Sequence, residues 1–228
     1  MPRHPRVSPD GFVQHVLNRG DHRDTIFHKP PDFRAFLAVI AESAHRIPMR
    51  ILAYCIMRNH FHLVLWPYAG RDLPCFMQQV MNTHINRYLR HYPPSSPGHI
   101  YQGRYGNSLI ETGPALLRVM RYVEANALSA GIVKRADHYK WSSASPHAGD
   151  PGRPTLADWP IARPVDWREY LNTPTAADEW KKLQRSARRG APYGSDEWVQ
   201  TVAAAYRLES AVRPRGRPRV YETWVPTA

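Results

Sequence analysis

Two short segments carry side chains whose types and spacing suit metal-assisted attack on a phosphodiester. His60 and His62 flank Phe61 in a run typical of a β-strand, so the two imidazoles project from the same strand face. Neutral imidazoles on one face can occupy adjacent positions around a divalent metal ion. Tyr122 and Asn126 are four residues apart in a predicted helix and therefore share one helix face. Together these residues offer two nitrogen ligands, a neutral oxygen ligand and a phenol nucleophile.

The chemistry that this set suits is in-line attack on the phosphorus of a nucleic-acid strand. A bound metal ion polarises a non-bridging phosphate oxygen and neutralises the charge that develops there. Tyrosine, with an ordinary pKa near 10, becomes a good nucleophile only when a cation or a base stabilises its phenolate. Neither segment is decisive alone, because short motifs such as His-x-His recur by chance and most tyrosines pack in cores. The interpretation depends on the two segments meeting in the fold.

The elements that hydrophobic periodicity predicts would bring these segments together. They are a strand over 11–20, a helix over 30–47, strands over 49–57 and 58–66 joined by a turn at Arg58–Asn59, a helix over 72–92, a strand over 103–111 and a helix over 112–131 capped by Gly131. The order βαββαβ is typical of the ferredoxin-like α+β fold, an antiparallel sheet with helices packed on one face. The third helix, which carries Tyr122 and Asn126, is additional to that arrangement.

Length and composition favour one main domain with an appendage. The chain has 228 residues, of which 43% are hydrophobic, enough to bury a substantial core. Prolines become frequent after residue 145 and would interrupt any long element there. We therefore divide the chain into a main domain (1–145), a proline-rich linker (146–177), a C-terminal helical segment (178–210) and a basic tail (211–228).

Membrane and disulfide-stabilised classes are not indicated by the sequence. It contains no apolar run of about 18 residues, and no apolar signal region follows the basic N-terminus, so we expect a cytoplasmic protein without a membrane partner. Cys55 and Cys75 lack the spacing of a metal site or a disulfide framework. Both are expected to be reduced thiols in the core.

The charge of the chain indicates a polyanionic partner. The net charge is +12 and the pI is about 10.0, which favours nucleic acid because neutralising phosphates releases counterions. The candidate phosphate contacts are Arg104, Arg118, Arg121, Lys134 and Arg135, and the candidate base-stacking residues are Tyr101, Tyr105, Tyr139 and Trp141. Each of these is individually more often structural. The arginines of the tail, Arg215, Arg217 and Arg219, are either part of a solvated disordered end or an arm that lies in a DNA groove.

Four segments together resemble the tyrosine HUH-endonuclease transposases of the single-strand insertion-sequence type. The matching segments are Met57–Val64, Tyr101–Tyr105, Tyr122–Ala127 leading to Gly131, and Trp141–Ser143. Among those transposases, the chain is most similar to the REP-associated tyrosine transposases, domesticated relatives encoded near repetitive extragenic palindromes. The resemblance implies that residues 1–145 form an HUH tyrosine nuclease/transposase domain.

The resemblance also implies a mechanism and a substrate. His60, His62 and Asn126 would hold Mg²⁺ or Mn²⁺, and Tyr122 would attack single-stranded DNA to form a 5′-phosphotyrosine link and a free 3′-hydroxyl. The substrate would be a palindromic hairpin with single-stranded DNA at its foot. Insertion-sequence relatives more often carry Gln at the third-ligand position, and many relatives have Asn-Pro where this chain has Asn126-Ala127. An Asn carbonyl can still bind a hard cation.

Other functional classes remain open from sequence alone. A hairpin-binding protein that has lost cleavage would keep the same fold and charge, and a replication or conjugation initiator would share the histidine pair. An RNA-binding ferredoxin-like domain would need exposed sheet aromatics on the RNP pattern, which the sequence lacks. Monomer and homodimer are equally compatible with the sequence.

Overall fold

Four antiparallel strands form the centre of the computed structural model, which describes residues 6–92 and 98–213. The strands are β1 (Val13–Arg19), β2 (Met49–Met57), β3 (His60–Pro67) and β4 (Gly106–Ile110), and their order across the sheet is β2-β3-β1-β4. This topology confirms the predicted α+β, ferredoxin-like sheet. The tail arginines Arg215, Arg217 and Arg219 lie outside the described residues.

Two long helices cover one face of the sheet. They are α1 (Pro30–Arg46) and α2 (Asp72–His91). Their buried residues recur at helical spacing and pack on the inward residues of the strands, namely Phe36, Leu37, Ile40, Phe76 and Val80 against Phe61, Leu63 and Leu65. The strand residues on this face alternate with the two histidines of β3, which therefore point to the other face.

A third helix covers that other face. In α3 (Pro114–Glu124), Leu116, Val119, Met120 and Val123 pack together with Ala53, Val64 and Ile110 of the sheet. The sheet is thus covered by helices on both sides, with the two ferredoxin-type helices on one face and the additional helix opposite them. The histidine pair faces α3, which is the helix that carries Tyr122.

The helix predicted over 112–131 is broken near its middle. α3 ends at Glu124, Ala125 adopts φ −90° and ψ 9°, and a short helix α4 (Asn126–Ser129) follows. At the break, the carbonyl of Glu124 accepts a hydrogen bond from Ser142 Oγ at 3.3 Å, a contact from a distant segment that no local pattern indicates. The predicted cap is confirmed, because Gly131 has φ +69° and Ile132 N donates to the Ala127 carbonyl.

The residues after 145 pack on the same core as α3. They include α5 (Trp167–Asn172), α6 (Ala177–Arg189), α7 (Asp196–Tyr206) and α8 (Glu209–Val212). Trp167 of the predicted linker is 2% exposed and belongs to the core cluster of α3, together with Leu171 of α5 and Leu183 of α6. The division of the chain into domains stays a prediction, but this linker is an ordered part of the core.

Two smaller findings concern the sheet edges and the cysteines. The outer edge of β2 pairs with Ser142 and Leu156, and β4 pairs with Tyr193. Cys55 is buried as expected, whereas Cys75 is exposed because it lies on the solvent face of the first turn of α2, so its prediction as a core thiol was wrong.

In the part of the chain that the structure describes, no helix is long and apolar enough to cross a membrane.

Candidate metal and nucleophile site

The sheet register and α3 bring the four predicted chemical residues into one place. In β3, His62 lies opposite Leu17 of β1 and is buried, whereas His60 lies opposite Arg19 at the end of both strands and is partly buried. The Tyr122 and His62 rings meet edge to face, with their centroids 5.5 Å apart. Asn126 Oδ1 lies 3.3 Å from His60 Nε2. The break at Ala125 does not separate the pair, since Tyr122 faces one histidine and Asn126 the other.

Asn59 determines which nitrogen His60 offers to a ligand. His60 Nδ1 is 2.7 Å from Asn59 Oδ1, and Asn59 Nδ2 donates to the Arg23 carbonyl at 3.0 Å, which sets the orientation of this amide. A carboxamide oxygen only accepts hydrogen bonds, so the proton must be on Nδ1 of His60. His60 Nε2 therefore carries a lone pair, and it faces Asn126 Oδ1.

The geometry of these two atoms fits a bound metal ion. Two ligands about 2.1 Å from an octahedral ion and at right angles to each other lie about 3 Å apart. The 3.3 Å between His60 Nε2 and Asn126 Oδ1 is close to that separation, and in this orientation both atoms present lone pairs to one point. Among the described residues, no group of three or more His, Cys, Asp and Glu side chains could hold a metal. The three candidate ligands are two imidazoles and a carboxamide, which are neutral, so a bound ion would keep its charge for a phosphate.

Burial keeps both candidate ligands neutral. The pKa of His60 is lowered to about 4 by loss of solvation and by the nearby Arg19 guanidinium, which together outweigh the hydrogen bond that a protonated Nε2 would donate to Asn126. Loss of solvation, the neighbouring histidines and Arg19 bring the pKa of His62 well below its usual value. Neutral imidazole is the form that coordinates metal ions.

His15 of β1 is a site residue that the sequence analysis missed. Its Nε2 lies 2.8 Å from His62 Nδ1, and the two rings stack with centroids 5.0 Å apart. It is 3% exposed. Alternation along β1 predicts that His15 lies on the α3 face, but its contact with His62 depends on the register between β1 and β3, which no local sequence pattern indicates.

Tyr122 is buried and uncharged in the absence of a bound cation. Burial raises the pKa of its phenol to about 12, and Arg19 opposes that effect. Its ring is 6% exposed and packs against Trp180 of α6, with centroids 4.5 Å apart. The phenol therefore needs an additional positive charge to act as a nucleophile near neutral pH.

A basic cavity of about 550 Å³ opens beside Tyr122 and His62. Its charged lining residues are Arg19, Arg23, Arg104 and Arg188, and none of the described residues that line it is Asp or Glu. Arg19 Nε is buried there without a hydrogen-bond partner among the described residues. Of these arginines only Arg104 was predicted, because Arg19, Arg23 and Arg188 are brought to the cavity by β1, by the turn that follows it and by α6.

A second cavity of about 650 Å³ adjoins the first one. The two share Asn18 and the segment 102–104, and α2 supplies an apolar wall with Met77, Met81 and Ile85. Among the described residues that line this second cavity there is likewise no carboxylate, whereas Arg6 and Arg104 contribute two guanidinium groups to the lining.

The other predicted DNA contacts have partners within the chain. Among the arginines, Arg118 forms an ion pair with Glu179 at 2.9 Å, Arg121 donates to Thr173 and Arg135 forms an ion pair with Asp137. Among the aromatic residues, Tyr101 hydrogen-bonds His84 and Tyr139 donates to the Ile56 carbonyl. The Arg6 guanidinium covers the Tyr105 ring, and Trp141 stacks on Phe33. Lys134 is exposed. The assignment of these residues to DNA stays a prediction.

Comparison with known proteins gives the family. The model of the family described as "Transposase IS200 like" matches residues 11–126, about half of the chain. This chain belongs to the IS200-like transposase family. The match ends at Asn126, so the family region of this transposase contains all four predicted chemical residues but none of α5 to α8.

The fold of this chain is similar to that of one solved transposase structure. A structure of a REP-associated tyrosine transposase bound to a REP hairpin matches the IS200-like chain with a TM-score of 0.54 at 14% identity, covering 72% of this chain and 99% of the other. At that identity the match shows a shared fold. No curated protein matches the sequence.

Proposed function

We propose that this transposase is a metal-dependent single-stranded DNA endonuclease and strand transferase that acts on palindromic, REP-like hairpins. The observation that carries the proposal is the convergence of Tyr122, His60, His62 and Asn126 beside a cavity lined by arginines. Membership of the IS200-like family supports a transposase over a replication or conjugation initiator. The fold shared with a hairpin-bound transposase supports the choice of substrate.

Each candidate residue has a defined part in the proposed reaction. His60 Nε2, His62 and Asn126 Oδ1 would hold Mg²⁺ or Mn²⁺, and the bound ion would supply the positive charge that polarises the scissile phosphate. Tyr122 Oη loses its proton to solvent and attacks phosphorus in line. The bond between phosphorus and the 3′ oxygen breaks, the 3′ oxygen takes a proton from solvent, and the 5′ phosphate remains on Tyr122.

Strand joining is the reverse of this step. The 3′-hydroxyl attacks the phosphotyrosine, and the phenol of Tyr122 leaves. The number of phosphodiester bonds is the same before and after, so no external energy source is required. Arg19 Nε, which is buried and has no hydrogen-bond partner within residues 6–92 and 98–213, fits a phosphate oxygen. Arg104 lines both cavities and would guide the unpaired strand from one to the other.

The test is covalent attachment of a hairpin oligonucleotide with a single-stranded foot in the presence of Mn²⁺. Wild-type protein should give an adduct on a denaturing gel, and Tyr122→Phe should give none while binding the hairpin as tightly, because only the nucleophilic oxygen is removed. Tyr88→Phe is the matched control, since Tyr88 is on α2 at the opposite face of the sheet. An adduct with Tyr122→Phe would reject Tyr122 as the nucleophile.

A second candidate function is hairpin binding without cleavage. The packing of Trp180 on the Tyr122 ring favours it, because the nucleophile is covered in this conformation. Tight hairpin binding by the wild type, with no adduct in either Mg²⁺ or Mn²⁺, would select this candidate.

A further inference from the structure

His15 and His62 form a buried pair whose shared proton decides whether His62 can bind a metal. The 2.8 Å between His15 Nε2 and His62 Nδ1 is a hydrogen-bond distance, and a hydrogen bond between two neutral imidazoles contains one proton. If His15 donates, the remaining proton of His62 is on Nε2, which then cannot coordinate. If His62 donates, its Nε2 has a free lone pair.

The two histidines of β3 differ in this respect. Asn59 Oδ1 can only accept, so the tautomer of His60 is set by its partner. His62 has a partner that can either donate or accept, and both residues are buried, His15 at 3% and His62 at 2% exposure. The tautomer of His62 is therefore a property of the pair.

We propose that His15 is a positioning residue that accepts the Nδ1 proton of His62 and thereby presents His62 Nε2 to the metal. This inference rests on the proposed function, because it takes His62 as a metal ligand. Both arrangements of the pair carry the same two protons. Metal binding therefore selects one tautomeric arrangement of the pair, and it neither adds a proton to the two histidines nor removes one.

Substitutions of His15 separate this role from packing. His15→Leu fills the buried position with an apolar side chain and removes the acceptor, and we expect Mn²⁺ to bind the metal-free protein about 10- to 100-fold more weakly. His15→Gln offers an amide oxygen near the position of Nε2 and should stay within a few-fold of wild type. His84→Leu is the matched control, since His84 is a buried histidine that hydrogen-bonds Tyr101 at 2.6 Å on the opposite face of the sheet.

A spectroscopic measurement on wild-type protein does not depend on how the variants fold. In long-range ¹H–¹⁵N spectra of the Mg²⁺-saturated protein, the shared proton should be on His62 Nδ1, with His15 Nε2 unprotonated. A proton on His15 Nε2 would overturn the inference. Equal Mn²⁺ affinities of folded His15→Leu and wild type would also overturn it while leaving the proposed function intact, whereas wild-type protein that binds no metal would overturn both.

Discussion

At the scale of single residues, the candidate metal site is unusual in having only neutral ligands. Two imidazoles and one carboxamide leave the full charge of a divalent ion uncompensated by the protein. The phosphate of the substrate would supply the missing negative charge. Metal and DNA should therefore each raise the affinity for the other by the same factor.

Substitutions of Asn126 test whether the neutral ligands limit the affinity for the metal ion. Asn126→Asp adds a carboxylate of the same size, so the DNA-free protein should bind Mn²⁺ at least about tenfold more tightly than wild type, and Asn126→Ala should bind it more weakly. Titration calorimetry with the DNA-free proteins measures the order of the three affinities. If all three were equal, Asn126 would not be a ligand.

At the scale of elements, Glu124 fixes the end of α3 to two later segments. Its carboxylate is 1% exposed and accepts hydrogen bonds from Ser143 Oγ at 2.6 Å and Trp167 Nε1 at 2.7 Å. Because Tyr122 and Asn126 are two residues away on either side, this contact also holds the candidate nucleophile and ligand in place.

Removal of the Glu124 carboxylate should destabilise the packing of the end of α3. Glu124→Ala removes the acceptor of the buried Trp167 Nε1 and the closer of the two acceptors of Ser143 Oγ, which keeps only the Tyr54 carbonyl at 3.3 Å, and we expect the free energy of unfolding to fall by about 2–4 kcal/mol. Urea unfolding measures the difference, with the exposed Glu197→Ala on α7 as the control expected within about 0.5 kcal/mol of wild type. A loss as small as that of the control would show that the contact adds little.

A second connection between elements depends on pH. Asp32 on α1 accepts hydrogen bonds from Tyr92 beyond α2 and from the backbone of His28 and Lys29. Partial burial alone would raise the pKa of Asp32, but these hydrogen bonds and the Lys29 charge outweigh it and lower that pKa. A depressed pKa means that the contribution to stability is present above the unfolded pKa of about 3.9 and is lost as the pH falls through the folded pKa.

Asp32→Asn should remove this pH dependence. The melting temperature of wild type should exceed that of the variant at pH 7, and the difference should shrink as the pH falls below about 4. Calorimetry of both proteins across this pH range provides the measurement. A difference that grew towards acid pH would contradict the assignment.

The elements also show how far the sequence could predict this structure. Alternation and helical spacing are local signals, and they gave the four strands, α1, α2 and the facing positions of His60 and His62. The break at Ala125 was missed because its partner, Ser142, is remote in the chain. His15 was missed because strand register is set by the packing of the whole sheet. The burial of Trp167 in the core was not predicted, because the prolines around it are typical of a surface loop.

At the scale of the whole molecule, the net charge of +12 makes DNA affinity depend on salt. Replacing Arg215, Arg217 and Arg219 with Gln should make the slope of log affinity against log salt shallower by up to about 2–3, if all three contact phosphates. Replacing them with Lys keeps the charge and should leave the slope unchanged. Binding to a hairpin across a salt series gives the three slopes, and an unchanged Gln slope would mean that these arginines do not meet DNA.

The pairing of both outer strands limits how copies of this protein can aggregate. An unpaired strand edge is the usual template on which a second chain adds to a sheet, and long exposed edges lead to fibres. Here Ile51 and Cys55 of β2 and Ile110 of β4 already have backbone partners from the residues after 140. Loss of those later segments, by proteolysis for example, would expose both edges at once, and the fragment that contains the whole family region would then be the part most prone to form insoluble β-assemblies.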